Sequence, residues 1–326
     1  MVNHRLKEFL RRMLDSTISL KLVLKEYSRI INYNPKARLE SLMLVGAHSL
    51  EKGMGIKNTR IGYGRQKATN IINYLNDYCI KGYDCDCFPF VESYKMIETY
   101  IDFQKNAGFD ISEIEVLFDS FKQRNQAKIN ALTQSAGCGF KYYKSEYLKQ
   151  SEDFCFEDFV SLRHSIRDFE EEIVSEEKIR KAIELANHAP SACNRQPVKV
   201  YCTNSLEVAH KVDDLITGTS GFKKNIHNFA LITCDRSYFA GREIYQWYVN
   251  GGIFLSFFIL ALHSLGIGSV VMQWFAFHTT EKELKQLMGI ENSEAIVAVV
   301  GFGYYPDEVK CIEAQRKNWD EIVRFV

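Results

Sequence analysis

The sequence predicts a mixed fold of helices and strands, α+β or α/β, in residues 151–326, preceded by a mostly α-helical domain in residues 1–150. Apolar side chains of the first half recur at helical spacing, whereas the second half alternates short β-branched runs with helical stretches. Between them, the segment 134–152 mixes small, polar and aromatic residues without a clear period, so it is the predicted linker. Two domains also fit a length of 326 residues.

The helices of the first half are predicted from apolar residues three and four positions apart. Gly108 and Asp110 separate the last two of them. A further helix is predicted to end near Lys52, with Gly53 as its left-handed cap. The other predicted helical segments are 6–14, 71–78, 88–103 and 111–129.

In the second half, three apolar and β-branched runs are predicted strands, and the stretches around them are predicted helices. Ser175 is the predicted N-cap of the first helix, and Glu176 and Glu177 suit the positive end of its dipole. The predicted strands are 198–203, 229–234 and 295–303, and the predicted helices are 175–188, 205–216, 238–265 and 280–289.

Composition excludes several classes of protein. The 41 Lys and Arg residues balance the 41 Asp and Glu residues, which argues against a broadly basic nucleic-acid binder, and no nucleic-acid partner is expected. The apolar run 251–262 is shorter than the roughly 20 residues that span a bilayer. It is therefore predicted to be a core or interface helix, and no membrane partner is expected.

The cysteines bear on cellular compartment and on metal binding. Nine cysteines and a polar N-terminus without an apolar signal segment favour a reducing, cytoplasmic location. Cys79, Cys85 and Cys87 come closest to a metal pattern, but no CxxC pair or Cys/His quartet accompanies them. They are predicted to be ordinary thiols, and no metal is expected.

The segment 161–169 carries two arginines four residues apart. Arg163 and Arg167 share one face if this segment is helical, and His164 and Ser165 lie between them. Two guanidiniums with neutral donors suit a phosphate or a carboxylate, because the guanidinium fork binds such anions bidentately. The three glutamates that follow could equally pair with the arginines in a solvated turn.

The loop 189–197 lies between a predicted helix and a predicted strand. Two of its residues are prolines, and Ser, Asn, Arg and Gln side chains lie between them. Loops on a rigid helix–strand frame are favoured positions for ligand contacts, although Asn and Ser are also common in structural turns.

The order of these motifs resembles the nitroreductase family of FMN-dependent oxidoreductases: Arg-x-Ser-x-Arg, a helix, Pro-Ser-x-x-Asn-x-Gln-Pro, then a strand. The apolar helix with Gln246–Gly252, the run Val270–Phe275, the strand and Gly-aromatic turn 295–305, and Arg316 fit the family's order across about residues 154–326. The resemblance implies an α+β, nitroreductase-like fold, in which helices flank a central, mainly antiparallel sheet and two chains form a dimer.

The resemblance also implies FMN at the interface of a homodimer, NAD(P)H as electron donor and a small-molecule substrate. One subunit is expected to hold the FMN phosphate, ribityl chain and pyrimidine edge, while the loop of its partner approaches the same flavin. The first set is Arg163, His164, Ser165, Arg167 and Arg316, with Met272, Gln273 and Trp274 where backbone passes over the flavin. The second set is Pro190, Ser191, Ala192, Asn194 and Gln196.

Phe254, Phe257 and Phe258 form an apolar cluster on the long helix, which suits either a dimer interface or the core of one chain. The family's acidic residue beside the flavin has no counterpart in 270–275, and the chain contains no GxGxxG, so a Rossmann site is not predicted. Cys193 occupies a variable position of the loop, and no catalytic residue is assigned.

The first half carries two further motifs, His-Ser-Leu-Glu-Lys-Gly at 48–53 and Arg-x-Gly-Tyr-Gly-x-x-Lys at 60–67. Together they resemble the N-terminal extension of long nitroreductase-like proteins found among polysaccharide-biosynthesis genes. The motifs form either a helix end with solvated charges or a site for the anionic part of a substrate. The candidate substrate residues are His48, Glu51, Lys52, Arg60, Arg65 and Lys67, with Trp274 and Phe275 as stacking partners of an aromatic ring.

The sequence thus predicts an FMN-dependent oxidoreductase that transfers hydride from NAD(P)H through flavin N5 to an unidentified small acceptor, with polysaccharide biosynthesis as a candidate setting. Two alternatives remain open. One is a flavin-dependent dehydrogenase or oxidase that modifies a glycan or another metabolite. The other is a non-enzymatic FMN- or partner-binding protein.

Overall fold

The computed structural model describes most of the chain between residues 34 and 326. The described residues are 17, 20, 24, 34–54, 59–133, 139, 155–203, 205–219, 222–239, 243, 245–272, 274, 278–307, 309 and 319–326, without the side chains of 52, 278 and 321. The predicted helix 6–14, most of the predicted linker, and the candidate residues Gln273, Phe275 and Arg316 lie outside this set.

Four helices of the first half pack around one apolar core, as their apolar spacing predicts. The fully buried side chains at its centre include Met43, Ile71, Tyr78, Phe90 and Phe118. The helices are α1 (Pro35–Met54), α2 (Arg65–Ile80), α3 (Phe88–Asn106) and α4 (Ser112–Arg124), and a short α5 (Gln126–Asn130) follows.

Two predictions about these helices are wrong. The single helix over 111–129 is interrupted at Asn125, whose side-chain Nδ2 donates to the carbonyl of Phe121 at 3.0 Å. Gly53 does not cap α1, which continues to Met54. Its role is close approach: a Cβ on Gly53 would lie 2.1 Å from the ring of Tyr63, so only glycine lets that ring pack against the helix.

The second half is a four-stranded antiparallel sheet with helices on both faces. The strands are β1 (Val198–Cys202), β2 (Asn228–Asp235), β3 (Ile267–Met272) and β4 (Glu294–Tyr304), in the order β1-β2-β4-β3. The helices are α6 (Phe156–Ser161), α7 (Glu176–Ala186), α8 (Leu206–Leu215), α9 (Gln246–Ser264), α10 (His278–Met288) and α11 (Trp319–Ile322).

The central strand β2 is buried along its whole length because both of its faces are covered. Its side chains alternate between two cores, as the pleat requires. Ala230 and Ile232 face the core formed with α7 and α9, whereas Phe229 and Leu231 face the core formed with α8 and α10. The α+β prediction and its antiparallel sheet are confirmed for these residues.

The long helix α9 begins at Gln246, later than the predicted start at residue 238, because Arg236–Tyr238 forms a 3₁₀ turn. By length and composition α9 is also the one helix among the described residues that could cross a bilayer. Phe254 and Phe258 are buried in the core with the sheet, the second of the two alternatives left open for them, while Phe257 is 38% exposed. One side of α9 therefore belongs to the core and the other is uncovered.

Candidate functional site

The arginine segment lies beside the edge strand β3. The chain leaves α6 at Ser161, so Arg163 and Arg167 are not on a helix, and the helical condition considered for them is not met. Ser165 forms a parallel bridge with Ser269 of β3, and the backbone N–H of Ile166 donates to Ser269 O at 3.0 Å. Burial of the Ile166 side chain in the sheet core fixes this segment against the strand.

The two guanidiniums are half-buried, as are His164 and Ser165. Arg167 Nη1 donates to Ser165 O at 3.2 Å. Among the described residues, no carboxylate lies within 4.0 Å of the charged nitrogens of Arg163 or Arg167, so pairing with the three following glutamates does not occur. Partial burial of a guanidinium costs solvation free energy, which a bound anion can offset through charge-assisted hydrogen bonds. This arrangement therefore favours an anionic ligand.

His263, at the end of α9, lies beside the arginine segment, and sequence reasoning missed it. Its Nε2 lies 3.2 Å from Phe159 O and its Nδ1 lies 3.3 Å from Tyr305 Oη. Burial lowers the pKa of His263, the bond to Phe159 O opposes this, and the neighbouring Arg163 lowers the pKa further. Burial is the larger cause of this shift, and the contribution of Arg163 places its positive charge close to the imidazole.

The loop 190–196 has an unusual backbone. Cys193, Asn194 and Gln196 all have φ near +50°, a left-handed conformation that costs of order 1–3 kcal/mol for each non-glycine residue. The side chain of Ser191 accepts from Gln196 N at 3.1 Å, and Gln196 Nε2 donates to Asn194 Oδ1 at 3.0 Å. Such strain persists only where the surroundings hold it, and it is frequent at ligand sites.

Arg195 is the residue that holds this loop, although its position suggested no role. It is only 3% exposed, and its Nε donates to Ala192 O at 2.9 Å. Its Nη1 donates to Tyr238 O at 2.7 Å, and both terminal nitrogens bind the carboxylate of Glu243. The guanidinium also lies 4.7 Å from the ring centre of Phe239. A buried arginine with a bidentate carboxylate is a structural clamp.

Asn250 of α9 fixes the other side of the loop. Its Oδ1 accepts from the backbone N–H of Ala192 at 2.8 Å, and its Nδ2 donates to Gln246 O at 2.7 Å. Together with Pro190, Ser191, Gln196 and other residues it lines a cavity of about 30 Å³. That volume holds one or two waters, whereas cofactor pockets measure roughly 300–1,000 Å³. The described residues of one chain therefore do not close a flavin pocket around this loop.

The two candidate segments lie at opposite ends of α9. The loop binds Asn250 near the start of the helix, and the arginine segment lies near His263 at its end. At ~1.5 Å per residue these anchors are about 20 Å apart. Within one chain, the described residues of the arginine segment and of the loop therefore do not converge.

The candidates after β3 are partly core residues. The side chain of Met272 is buried in the core between the sheet and α8, and the half-buried Trp274 packs against the same core. A contact of Met272 with a ligand would therefore be made by its backbone.

The motifs of the first half do come together. Lys67 Nζ binds Ser49 Oγ, Tyr63 Oη donates to Leu50 O, and His48 Nδ1 lies 3.9 Å from Glu51 Oε2. Arg60, Arg65 and Lys67 have exposed side chains, and the side chain of Lys52 lies outside the described residues.

Helix α1 connects the helical domain to the loop. It contacts both the 3₁₀ segment Ala192–Asn194 and the turn at Tyr238. Glu40 on α1 accepts hydrogen bonds from Tyr238 Oη and Tyr78 Oη, each at 2.7 Å, and Ser41 Oγ donates to Tyr238 O at 2.6 Å. Burial raises the pKa of Tyr238, so its hydroxyl stays a donor to the carboxylate. We call Glu40, Ser41, Tyr78 and Tyr238 the seam.

Among the described residues, no group of three or more His, Cys, Asp or Glu side chains could hold a metal ion. The positive cluster at Arg163 and the clamped loop at Arg195 are the two arrangements of the second half that carry the predicted cofactor residues.

Comparison with known proteins gives matches in the half that carries both arrangements. The model of the nitroreductase family matches residues 160–225 and 233–304. A protein of Archaeoglobus fulgidus, provisionally named NADH dehydrogenase/NAD(P)H nitroreductase, is 30% identical over 168 residues, which cover 51% of this chain and 94% of that protein. A Thermus thermophilus protein named NADH dehydrogenase is 25% identical over 180 residues, with 45% of this chain and 84% of that protein covered.

Among solved structures, the FMN-dependent nitroreductase of Clostridium difficile is 21% identical, with a TM-score of 0.44 over 51% of this chain and 96% of that one. The sequence match to the Archaeoglobus protein runs along nearly the whole of that relative. On this ground, the chain belongs to the nitroreductase family.

Proposed function

We propose that the protein is an FMN-dependent oxidoreductase that takes hydride from NAD(P)H and delivers it to a small-molecule acceptor. The observation that carries the proposal is the pair of half-buried guanidiniums, Arg163 and Arg167, without a carboxylate partner among the described residues. An FMN phosphate carries close to two negative charges, so the donor set fits it. Membership of the nitroreductase family and the names of the relatives support the same activity.

The chain's own residues would bind and orient the cofactor. Arg163 and Arg167, with His164, Ser165 and Arg316, would hold its phosphate, ribityl chain and pyrimidine edge, and Met272, Gln273 and Trp274 would pass beside its ring. When bound, FMN supplies the hydride chemistry between a nicotinamide and an acceptor, so the protein needs to supply binding, orientation and electrostatics.

The test of the phosphate site is the double variant Arg163→Ala/Arg167→Ala. Each guanidinium that leaves removes a charge-assisted hydrogen bond of about 1.5–3 kcal/mol, so the Kd for FMN should rise at least about 100-fold for the pair. Arg180→Ala is the matched control, because Arg180 is an exposed arginine paired with Glu176 and should leave the Kd unchanged. A folded double variant that binds FMN as the unaltered protein does would refute the assignment.

We propose further that FMN lies between two copies of this chain. The support is geometric: the arginine segment and the loop are about 20 Å apart along α9, and the cavity beside the loop is too small for a flavin. Two α9 helices packed antiparallel across a two-fold axis bring the end of one to the start of the other. Pro190, Ser191, Ala192, Asn194 and Gln196 of one chain would then face the arginines of the other.

An uncovered apolar face on α9 also supports this dimer. Tyr245, Tyr248, Val249 and Phe257 are between 38% and 51% exposed along one side of the helix. Near the end of the chain, Trp319, Ile322 and Phe325 are more exposed still. Apolar side chains in such numbers are typical of a surface that a second subunit covers.

For the helical domain we propose a part in the same site. The seam joins α1 to Tyr238, whose carbonyl accepts a hydrogen bond from Arg195. The helical domain therefore helps to hold Arg195, and through it the loop 190–196. His48, Glu51, Lys52, Arg60, Arg65 and Lys67 would bind the anionic part of an acceptor, with Trp274 and Phe275 stacking on a ring. The exposed side chains of Arg60, Arg65 and Lys67, together with the Lys67–Ser49 contact that joins the two motifs, support this proposal. A role in polysaccharide biosynthesis stays a prediction.

A further inference from the structure

The turn after α2 brings two cysteines together. Gly82, with φ of +70°, ends the helix: its N–H donates to Cys79 O at 3.1 Å and the N–H of Tyr83 donates to Tyr78 O at 3.3 Å. These two bonds form a Schellman motif, which reverses the chain and returns it over the last helical turn. As a result, Cys85 Sγ lies 3.6 Å from Cys79 Sγ.

We propose that Cys79 and Cys85 form a redox modification site, a dithiol that a hydroperoxide converts into an intramolecular disulfide. A disulfide requires an S–S distance of about 2.05 Å, so the sulfurs need to approach by about 1.5 Å, which rotation of the two side chains can supply. The proposal is independent of the flavin chemistry, because it rests on two side chains of the helical domain.

The surroundings distinguish the two thiols. The hydrogen bond with Cys85 lowers the pKa of Cys79, burial opposes this, and the Lys128 ammonium lowers it further. Lys128 Nζ also donates to Cys79 O, which keeps the positive charge in place. The hydrogen bond with Cys79 and burial both raise the pKa of Cys85. Cys79 is thus the thiolate that reacts first, and Cys85 is the thiol that resolves it.

The reaction balances with hydrogen peroxide as the oxidant. The Cys79 thiolate attacks one peroxide oxygen, the O–O bond breaks, and the other oxygen leaves and takes a proton to become water, which gives the sulfenic acid. The sulfur of Cys85 then attacks the Cys79 sulfur, the S–OH bond breaks, and the proton of the Cys85 thiol joins the hydroxide as a second water. The two sulfurs lose two electrons in total, and the peroxide gains two.

Access favours a small oxidant. Cys79 is 4% exposed and Cys85 6% exposed, but the loop residues Lys81, Gly82 and Asp84 beside them are exposed. A peroxide molecule can enter after a small opening of this loop, whereas a protein disulfide would be excluded. Cys87 is next in the chain, but its Sγ lies 3.3 Å from Tyr78 Oη and burial raises its pKa, so it serves as the internal comparison.

The test is thiol mapping on the full-length protein. After graded exposure to hydrogen peroxide, remaining thiols are alkylated and peptides are identified by mass spectrometry. We expect the thiols of Cys79 and Cys85 to be lost together, with a linked peptide containing both residues, and we expect dithiothreitol to restore both. The Cys87→Ser variant should form the same bond, while Cys85→Ser should leave a sulfenic acid at Cys79 that dimedone captures.

Thiol mapping of the unaltered protein is enough to refute the proposal, so the test does not depend on whether a variant folds. If Cys79 and Cys85 stay fully alkylatable at a peroxide dose that oxidises the exposed Cys155, the pair is not a redox site. A linked peptide that contains Cys87 in place of either partner would also refute it.

Discussion

The clamp residue Arg195 gives the sharpest prediction about the flavin loop. Arg195→Lys keeps the charge but loses the fork, so a single ammonium replaces the directed bonds to Ala192 O and to both oxygens of Glu243. Two lost charge-assisted bonds correspond to about 3–6 kcal/mol. The three left-handed residues of the loop cost a similar amount, about 3–9 kcal/mol in total.

Because the two quantities are comparable, the substitution should depopulate the loop conformation that binds the cofactor. The apparent affinity for FMN falls in proportion to the fraction of molecules whose loop has the binding conformation. Each 1.4 kcal/mol changes that affinity tenfold. The lysine ammonium retains part of this interaction, so a net loss of about 1.4–2.8 kcal/mol is expected. The Kd for FMN, measured by quenching of flavin fluorescence, should then rise by about 10- to 100-fold. The exposed Arg180→Lys is the matched control and should change neither Kd nor Tm appreciably.

A second substitution tests the reason for the loss. Cys193 has φ of +53°, a conformation that glycine adopts without strain. Adding Cys193→Gly to Arg195→Lys should therefore recover part of the FMN affinity. A folded Arg195→Lys protein with unaltered Kd, or a double variant without any recovery, would refute the idea that Arg195 offsets backbone strain.

Two further predictions concern the interface and the seam. The double variant Val249→Arg/Phe257→Arg should remain folded but become monomeric by light scattering and bind FMN more weakly. The control Val116→Arg, at an exposed apolar position on α4, should change neither the size of the protein nor its FMN binding. A double variant that is flavin-loaded and of unchanged size would contradict the interface. Tyr238→Phe removes a bond to a buried carboxylate worth about 1.5–3 kcal/mol and should lower both Tm and FMN affinity. Tyr94→Phe, which alters a buried hydroxyl of the helical core, should lower Tm alone; equal losses of affinity in both variants would mean that the seam does not support the loop.

Much of the second half could be predicted because its signals are local. Apolar runs gave β1, β2 and β4 within two residues, and Ser175 does cap α7 by accepting from Lys178 N at 3.4 Å. The sequence pattern does not separate β3 from the run Val270–Phe275, because Gly268 and Ser269 follow its first residue and only two residues lie between α9 and the strand. Antiparallel order came from the resemblance alone, since periodicity carries no information on strand pairing.

The site could be predicted only in part, because its residues act through distant partners. The sequence predicts Arg163 and Arg167, but whether a described carboxylate pairs with them depends on where the following chain runs. The sequence does not predict the role of Arg195, because its partners Tyr238 and Glu243 are more than 40 residues away. The signal that could have indicated it is an arginine between two prolines, with a glutamate later in the chain as a possible partner. The sulfur contact of Cys79 with Cys85 likewise depends on the reversal at Gly82.

The claim that this chain is an FMN-dependent reductase is tested most directly by the absorbance of the purified protein, reconstituted with FMN if necessary, during anaerobic titration with NADH and with NADPH. We expect a stoichiometrically bound flavin whose yellow absorbance is bleached rapidly by at least one of the two nucleotides. The absorbance should return when a quinone is added. A protein that does not bind FMN, or that binds it and is reduced by neither nucleotide, would contradict the account.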